Sequence, residues 1–226
     1  MLTVIDNLLD AALVQQWRAA LAAAPWQDGA LTAGSIARRV KANQQLPDEC
    51  ATAVSLRTAL LARLAQHPRF LSAALPQRIY PPKFNRYQDG GHYGDHVDNA
   101  VLPLADGTRL RSDVSCTLFL SAPEDYDGGE LVIQDAGGAA RAVKLAAGSL
   151  VLYPATSVHH VTPVTRGTRY AAFFWVQSLV RESTQRALLF ELDSAIQQVT
   201  QDFPASSGLV ALTGVYHNLV RRWADP

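Results

Sequence analysis

Phe84-Asn85-Arg86-Tyr87-Gln88-Asp89-Gly90-Gly91-His92-Tyr93-Gly94-Asp95-His96-Val97-Asp98 is the stretch on which the reading of this chain turns. Residues two apart on a strand point to the same side, so His96 and Asp98 can share one metal ion where the chain is extended. An imidazole and a carboxylate lack one protein ligand of the facial triad that holds non-haem iron(II) with adjacent coordination positions open. By itself His-x-Asp is weak evidence, because a turn histidine beside a solvated aspartate is the ordinary explanation.

The surroundings of that stretch read as a sheet. From Leu75 to Gln177 short apolar runs alternate with turn formers, giving expected strands at Arg78–Tyr87, Val114–Leu120, Glu130–Ile133, Ser149–Tyr153, His159–Val164 and Arg169–Gln177. Asp89-Gly90-Gly91, Asp127-Gly128-Gly129, Gly137-Gly138 and Arg166-Gly167 separate them. Many short strands at such spacing point to an antiparallel sandwich or jelly roll. On the flanks the period is helical. Asp10 can cap a helix carrying Leu13, Trp17 and Leu21, and a second helix is expected over about Pro47 to Gln66 with Leu60, Leu61 and Leu64 on its stripe. Beyond Ser178, Leu189, Leu192, Ile196 and Val199 form one apolar stripe; Leu209, Leu212, Tyr216, Leu219 and Trp223 form another, with Asp202-Phe203-Pro204 as the break. The expected organisation is an N-terminal helical support at 1–74, a jelly-roll core at 75–178 and a C-terminal helical segment at 179–226, an α+β fold overall.

A third ligand is available late in the sheet region. Ser157-Val158-His159-His160-Val161-Thr162-Pro163-Val164 places two adjacent histidines on a strand, where they face opposite ways, so only one can reach a metal. Periodicity leaves that choice open. Arg169 follows the turn at Gly167, and a guanidinium there can meet a carboxylate with two parallel hydrogen bonds. Arg166 belongs to the turn and reads as a surface residue. Arg86 reads as structural or substrate-facing, His92 as a solvated loop residue, Tyr93 as a candidate for the substrate entrance, and Trp175 as core. His67 and His217 sit in helical patterns and need no function.

Taken together, Phe84 to Asp98, Asp127-Gly128-Gly129-Glu130 and His159-x-Val-Thr-Pro-Val-x-x-Gly-x-Arg169 resemble the prolyl-4-hydroxylase-like 2-oxoglutarate dioxygenases, and most closely their bacterial PKHD-type hydroxylases. The likeness runs from Val4-Ile5-Asp6 through Val40-Lys41-x-Asn43 to the helical tail, nearly the whole chain. It implies a double-stranded β-helix core and an iron(II)- and 2-oxoglutarate-dependent hydroxylation that releases succinate and CO2. L-ascorbate is the expected auxiliary reductant. His96, Asp98 and His159 match the iron ligands, Arg169 matches the residue gripping the far carboxylate of 2-oxoglutarate, and Tyr87 matches a tyrosine that assists there. The ten-residue offset to Arg169 selects His159 over His160. A setting in iron homeostasis fits the bacterial group.

Bulk properties agree with a soluble enzyme. The 226 residues are 48% hydrophobic and 18% charged, and 20 basic side chains balance 20 acidic ones, so no field favours a polyanion such as nucleic acid. Cys50 and Cys116 are far apart and form no metal-like spacing. Neither a secretory leader nor a bilayer-spanning apolar run is visible, which gives a cytoplasmic expectation with no membrane partner. The expected partner is a small-molecule or peptide substrate, with a homodimer through the C-terminal helices as a further expectation. Two rivals remain at this level: a cupin-type enzyme without 2-oxoglutarate, for which His-x-His is missing, and a non-enzymatic metal-binding module, which would not require Arg169. A nucleic-acid demethylase is disfavoured by the neutral charge and by the lack of its paired arginines.

Overall fold

The computed structural model describes residues 1–32 and 40–225 of the chain. The larger sheet contains β1 (Thr3–Ile5), β2 (Gln27–Asp28), β4 (Gln44–Gln45), β5 (Pro76–Ile79), β6 (Lys83–Tyr87), β10 (Val114–Phe119), β14 (Leu150–Pro154) and β17 (Arg169–Ser178). Its order is β1-β14-β10-β17-β6-β4-β2, with β5 also on β17. The smaller sheet, β13-β12-β15-β7-β3, is built from β3 (Lys41–Ala42), β7 (His92–His96), β12 (Leu131–Gln134), β13 (Ala140–Val143) and β15 (His159–Val161). Two separate two-stranded sheets accompany them: β8 (Val101–Pro103) with β9 (Arg109–Arg111), and β11 (Tyr126–Gly128) with β16 (Val164–Gly167). All the pairings are antiparallel, as the turn-punctuated sequence predicts for a jelly roll.

One face of the larger sheet meets helices and the other meets the smaller sheet. That explains why β10 is buried at all six positions. On the helix side, α1 (Ala11–Ala22), α2 (Ala51–Leu64) and α3 (Pro68–Ala74) bring Trp17, Leu21, Leu60, Leu64 and Phe70 against Phe84, Cys116, Leu118, Phe174 and Val176. Between the sheets lie Tyr87, Phe119, Tyr126, Leu131, Ile133, Val151, Tyr153 and Val161.

Local chemistry sets the helix ends. The Asp10 carboxylate accepts from the Leu13 amide at 2.9 Å, the expected cap of α1. The second helix begins four residues later than Pro47, because Pro47 and the Cys50 cap occupy the turn that precedes it. Leu60 and Leu64 are buried in it, whereas Leu61 is only half-buried. The expected strand Arg78–Tyr87 is two strands, since Pro81 and Pro82 cannot donate to a ladder and break it between β5 and β6. His159–Val164 is likewise divided at Thr162-Pro163.

At the C-terminus α4 (Ser183–Asp202) and α5 (Gly208–Trp223) pack as an antiparallel pair. Leu189 on α4 is fully buried beside Leu75 and Val180, and Tyr216, Leu219, Val220 and Trp223 pack on that cluster. The buried Arg186 guanidinium anchors α4 to the core by donating to the carbonyls of Val180, Arg181 and Asp113. Among the described residues, no helix is long and apolar enough to cross a membrane.

Candidate active site

Both sheets contribute to a cavity of about 740 Å³. On β17 alternate residues face it, so Arg169, Phe173 and Trp175 lie along one line from its deep end towards its mouth. Lys83, Asn85 and Tyr87 do the same on β6, which is registered with Phe173 opposite Lys83 and Arg169 opposite Tyr87. Trp175 is therefore cavity wall rather than core, half-buried, with the Tyr80 ring edge-on at 5.4 Å. The sequence expectation erred because Ala171-Ala172-Phe173-Phe174-Trp175 is apolar throughout and hides which residues face inward.

His96, Asp98 and His159 converge from the smaller sheet. Their ligand atoms all lie within 4.8 Å of one another, close enough for one ion. His159 pairs directly with His96 across β15 and β7, and the ring centroids are 4.2 Å apart. The register shifts between His159 and Val161, a bulge that re-aims side chains beside the site. Each imidazole is oriented alike. His96 Nδ1 lies 2.8 Å from the Gly94 carbonyl, and His159 Nδ1 lies 3.0 Å from the Ser157 carbonyl. With the proton on Nδ1 in each ring, both Nε2 lone pairs are left to face the metal position.

Asp98 lies just beyond the end of β7 at His96, so the strand argument that paired the two residues holds only for the direction of the chain. What holds the carboxylate is Ser115, whose hydroxyl donates to Asp98 Oδ2 at 2.6 Å; that same oxygen is 3.8 Å from His159 Nε2. The sequence reading missed Ser115. Its signal was Ser115 and Thr117 spaced by two on an otherwise apolar strand, which marks polar residues on the cavity face of β10. Burial and the neighbouring His159 lower His96 to a pKa of about 4, so the ring is neutral and competent as a ligand at pH 7. The Tyr93 ring stacks on His96 at 3.6 Å and lines the cavity. His92 begins β7 instead of lying in a loop, with Nδ1 3.1 Å from the Gly90 carbonyl.

His160 faces the other way. Its Nδ1 pairs with Asp95 Oδ1 at 2.7 Å, outside the cluster. Arg166 pairs with Asp127 at the exposed turn, and Arg86 bonds Gln44 and stacks over Trp26, so both are structural. His67 caps α3 through Nδ1.

Arg169 is 1% exposed, yet its Nε has no hydrogen-bond partner and it forms no ion pair among the described residues. Its guanidinium carbon lies 5.3 Å from the Tyr87 ring centroid and 5.1 Å from that of Phe119. The buried Tyr126 hydroxyl lies beside this guanidinium. Two glycines allow this packing. Gly167 has φ +74°, and a Cβ there would lie 2.0 Å from the Asp125 carbonyl oxygen; a Cβ on Gly129 would lie 3.1 Å from Arg169 Cδ. A permanent cation buried without a counter-charge is unfavourable, and the deep end of this cavity therefore suits a carboxylate. The donor set of two imidazoles and a carboxylate suits iron(II). The residues fit both groups.

Comparison with known proteins agrees. The sequence profile of the 2OG-Fe(II) oxygenase superfamily matches residues 82–177, and that of the PKHD-type hydroxylase C-terminal domain matches residues 184–225. A PKHD-type hydroxylase of Pseudomonas putida is 57% identical over 226 residues, covering 100% of both chains; one from Teredinibacter turnerae is 55% identical over 225 residues, covering 99% of both. Among solved structures, a Pseudomonas putida prolyl-4-hydroxylase shares the fold with a TM-score of 0.53 at 22% identity, over 78% of this chain and 92% of that one. HygX from Streptomyces hygroscopicus, solved with nickel and 2-oxoglutarate bound, has a TM-score of 0.53 at 18% identity, over 80% of this chain and 84% of its own.

Proposed function

We propose, on the premise that this chain belongs to the PKHD-type hydroxylases of the 2OG-Fe(II) oxygenase superfamily, that His96, Asp98 and His159 hold its iron(II) and that Arg169 and Tyr87 hold its 2-oxoglutarate. The observation that carries this assignment is the convergence of three ligand atoms within 4.8 Å in a cavity whose deep end holds a buried arginine with an unpartnered Nε. Bound iron(II) with 2-oxoglutarate supplies the oxidising chemistry, in which O2 oxidises one C–H bond of a substrate to an alcohol as 2-oxoglutarate becomes succinate and CO2.

The chain's own residues do the positioning. Arg169 offers a planar fork of donors to the far carboxylate of the cosubstrate, and Tyr87, fully buried with its hydroxyl kept protonated by that burial, offers a further donor. Gly94 and Ser157 carbonyls fix the two imidazoles. Ser115 fixes the carboxylate. Tyr93 shields one face of His96 from water. The aromatic wall of Phe173, Trp175 and Tyr80 limits access at the mouth.

Assay of succinate tests the reading. The purified protein should convert 2-oxoglutarate to succinate only with both iron(II) and O2, and L-ascorbate should prolong turnover. Absence of any succinate under those conditions would leave a metal-binding module as the surviving reading. Ser115→Ala should weaken iron(II) binding about 10–100-fold, the usual effect of losing a group that orients a metal ligand, with Ser115→Thr close to wild type. Competition against a coloured chelator measures it, and equal affinity in all three proteins would remove Ser115 from that role.

The same reading places the chain in the cytoplasm, away from membranes and nucleic acid, with a small-molecule or peptide substrate and a setting in iron homeostasis. The organisation into a support at 1–74, a core at 75–178 and a helical segment at 179–226 belongs to it too, supported by α1 to α3 lying in the first segment and α4 and α5 in the last, while β1 to β4 of the first segment join the core sheets. A homodimer through α4 and α5 is supported by exposed Leu188, Val210 and Val215 on those helices. Light scattering should then give twice the 24.5 kDa chain mass, and a monomer would remove the dimer.

A further inference from the structure

Arg169 is held by contacts that leave its rotation open. Its guanidinium carbon packs 5.3 Å from the Tyr87 ring centroid and 5.1 Å from that of Phe119. The attraction of a cation to an aromatic ring acts on the charge as a whole. It does not choose which of the five N–H groups of the fork point into the cavity. Bidentate recognition of a carboxylate depends on that choice, because two parallel N–H bonds must meet two oxygens at once. A polar neighbour at the edge of the fork can make it.

Tyr126 is placed to be that neighbour. It directly precedes Asp127-Gly128-Gly129-Glu130, a run that forms part of the family likeness and that neither the metal ligands nor the carboxylate clamp has used. The side chain is fully buried and takes no part in the cavity lining. Its hydroxyl lies beside the Arg169 guanidinium. Both side chains pack on Gly129, where a Cβ would lie 2.9 Å from Tyr126 Cε2 and 3.1 Å from Arg169 Cδ, so the missing side chain lets phenol and arginine stem approach. A guanidinium only donates, which makes the phenol oxygen the acceptor in this contact. Burial raises the Tyr126 pKa, and the opposing pull of Arg169 is weaker, so the hydroxyl stays protonated.

Tyr126 is itself fixed. On β11 it pairs with Gly167 of β16, two residues before Arg169. Lys144 donates from Nζ to the Tyr126 carbonyl at 2.8 Å, and that ammonium stands 4.1 Å from the centroid of the Tyr126 ring. The ring belongs to the apolar cluster between the sheets, with Phe119 and Val164.

We propose that Tyr126 is a positioning residue for 2-oxoglutarate, its hydroxyl setting the rotation of the Arg169 guanidinium so that two N–H groups face the far carboxylate together. Tyr126 acts through Arg169 and touches neither the iron nor the cosubstrate. This inference rests on the dioxygenase reading above.

Tyr126→Phe removes the hydroxyl and keeps the ring. The full-length iron(II) protein is titrated anaerobically with 2-oxoglutarate and with 2-oxopentanoate, which keeps the chelating end and carries a methyl in place of the far carboxylate. The metal-to-ligand charge-transfer band reads both. Tyr126→Phe should weaken 2-oxoglutarate about tenfold, the order of one hydrogen bond to a charged group, while 2-oxopentanoate and iron(II) bind as in wild type. In an Arg169→Ala background the same substitution should cost no further 2-oxoglutarate affinity. Unchanged 2-oxoglutarate affinity in Tyr126→Phe would overturn the proposal. So would an equal loss of both oxo acids, which marks general damage to the site. A further tenfold loss in the Arg169→Ala background would overturn it too, by giving Tyr126 a contact with the carboxylate that does not pass through Arg169. A wild-type protein that takes up no 2-oxoglutarate would instead bring down the dioxygenase reading itself.

Discussion

His159→Ala is expected to lose more than about 100-fold in iron(II) affinity, beyond what the loss of a merely orienting group costs, while His160→Ala stays near wild type. The two residues are neighbours of one chemical type on one strand, so composition, local propensity and net charge are almost the same in the two variants. They differ in direction. His159 is 5% exposed and sits opposite His96 within the cluster of ligand atoms; His160 points outward to Asp95. The pair therefore isolates the geometric claim. Metal binding measured by chelator competition, with melting curves to confirm that both variants fold, decides it. Equal loss in both variants would leave the choice of ligand unsupported.

Arg169→Ala should weaken 2-oxoglutarate about thirtyfold to several thousandfold and leave iron(II) affinity nearly intact, since removing one partner of a desolvated charged pair costs about 2–5 kcal/mol. The spread reflects how fully the bound carboxylate is shielded from water. Burial of Arg169 to 1% exposure, among Tyr87, Phe119 and Tyr126, argues for the upper part of that range. Arg169→Lys should recover only part, because an ammonium keeps the charge and loses the planar fork. Succinate formation should fall in the order wild type, lysine, alanine. An alanine variant that binds 2-oxoglutarate as tightly as wild type would leave the metal site standing and transfer the carboxylate to another basic residue.

The legible parts of this protein were those fixed by short-range rules. Strand alternation put His159 and His160 on opposite faces, turn glycines marked strand ends, and Asp10 announced its helix. The three candidate metal ligands and Arg169 were chosen by the resemblance to the PKHD-type hydroxylases, since periodicity by itself left His159 and His160 open. Several features were illegible because they depend on contacts far apart in sequence. Ser115 meets Asp98 across strands, and nothing near Asp98 indicates that partner. The short strand β7 gains its order from β15 and β3 on either side, where local propensity is weak: His92-Tyr93-Gly94-Asp95-His96 contains a glycine and no β-branched residue. Trp175 was misplaced for the opposite reason. In a strand covered on both faces the apolar pattern is unbroken, and only the tertiary structure tells cavity wall from core.

The most direct measurement is anaerobic titration of the wild-type iron(II) protein with 2-oxoglutarate, following the metal-to-ligand charge-transfer band. Chelation of iron held by His96, Asp98 and His159, with Arg169 on the far carboxylate, predicts a band that saturates at one equivalent of iron and of 2-oxoglutarate per chain. No band at any concentration, with iron present and the protein folded, would contradict the assignment of this cavity as an iron(II) and 2-oxoglutarate site.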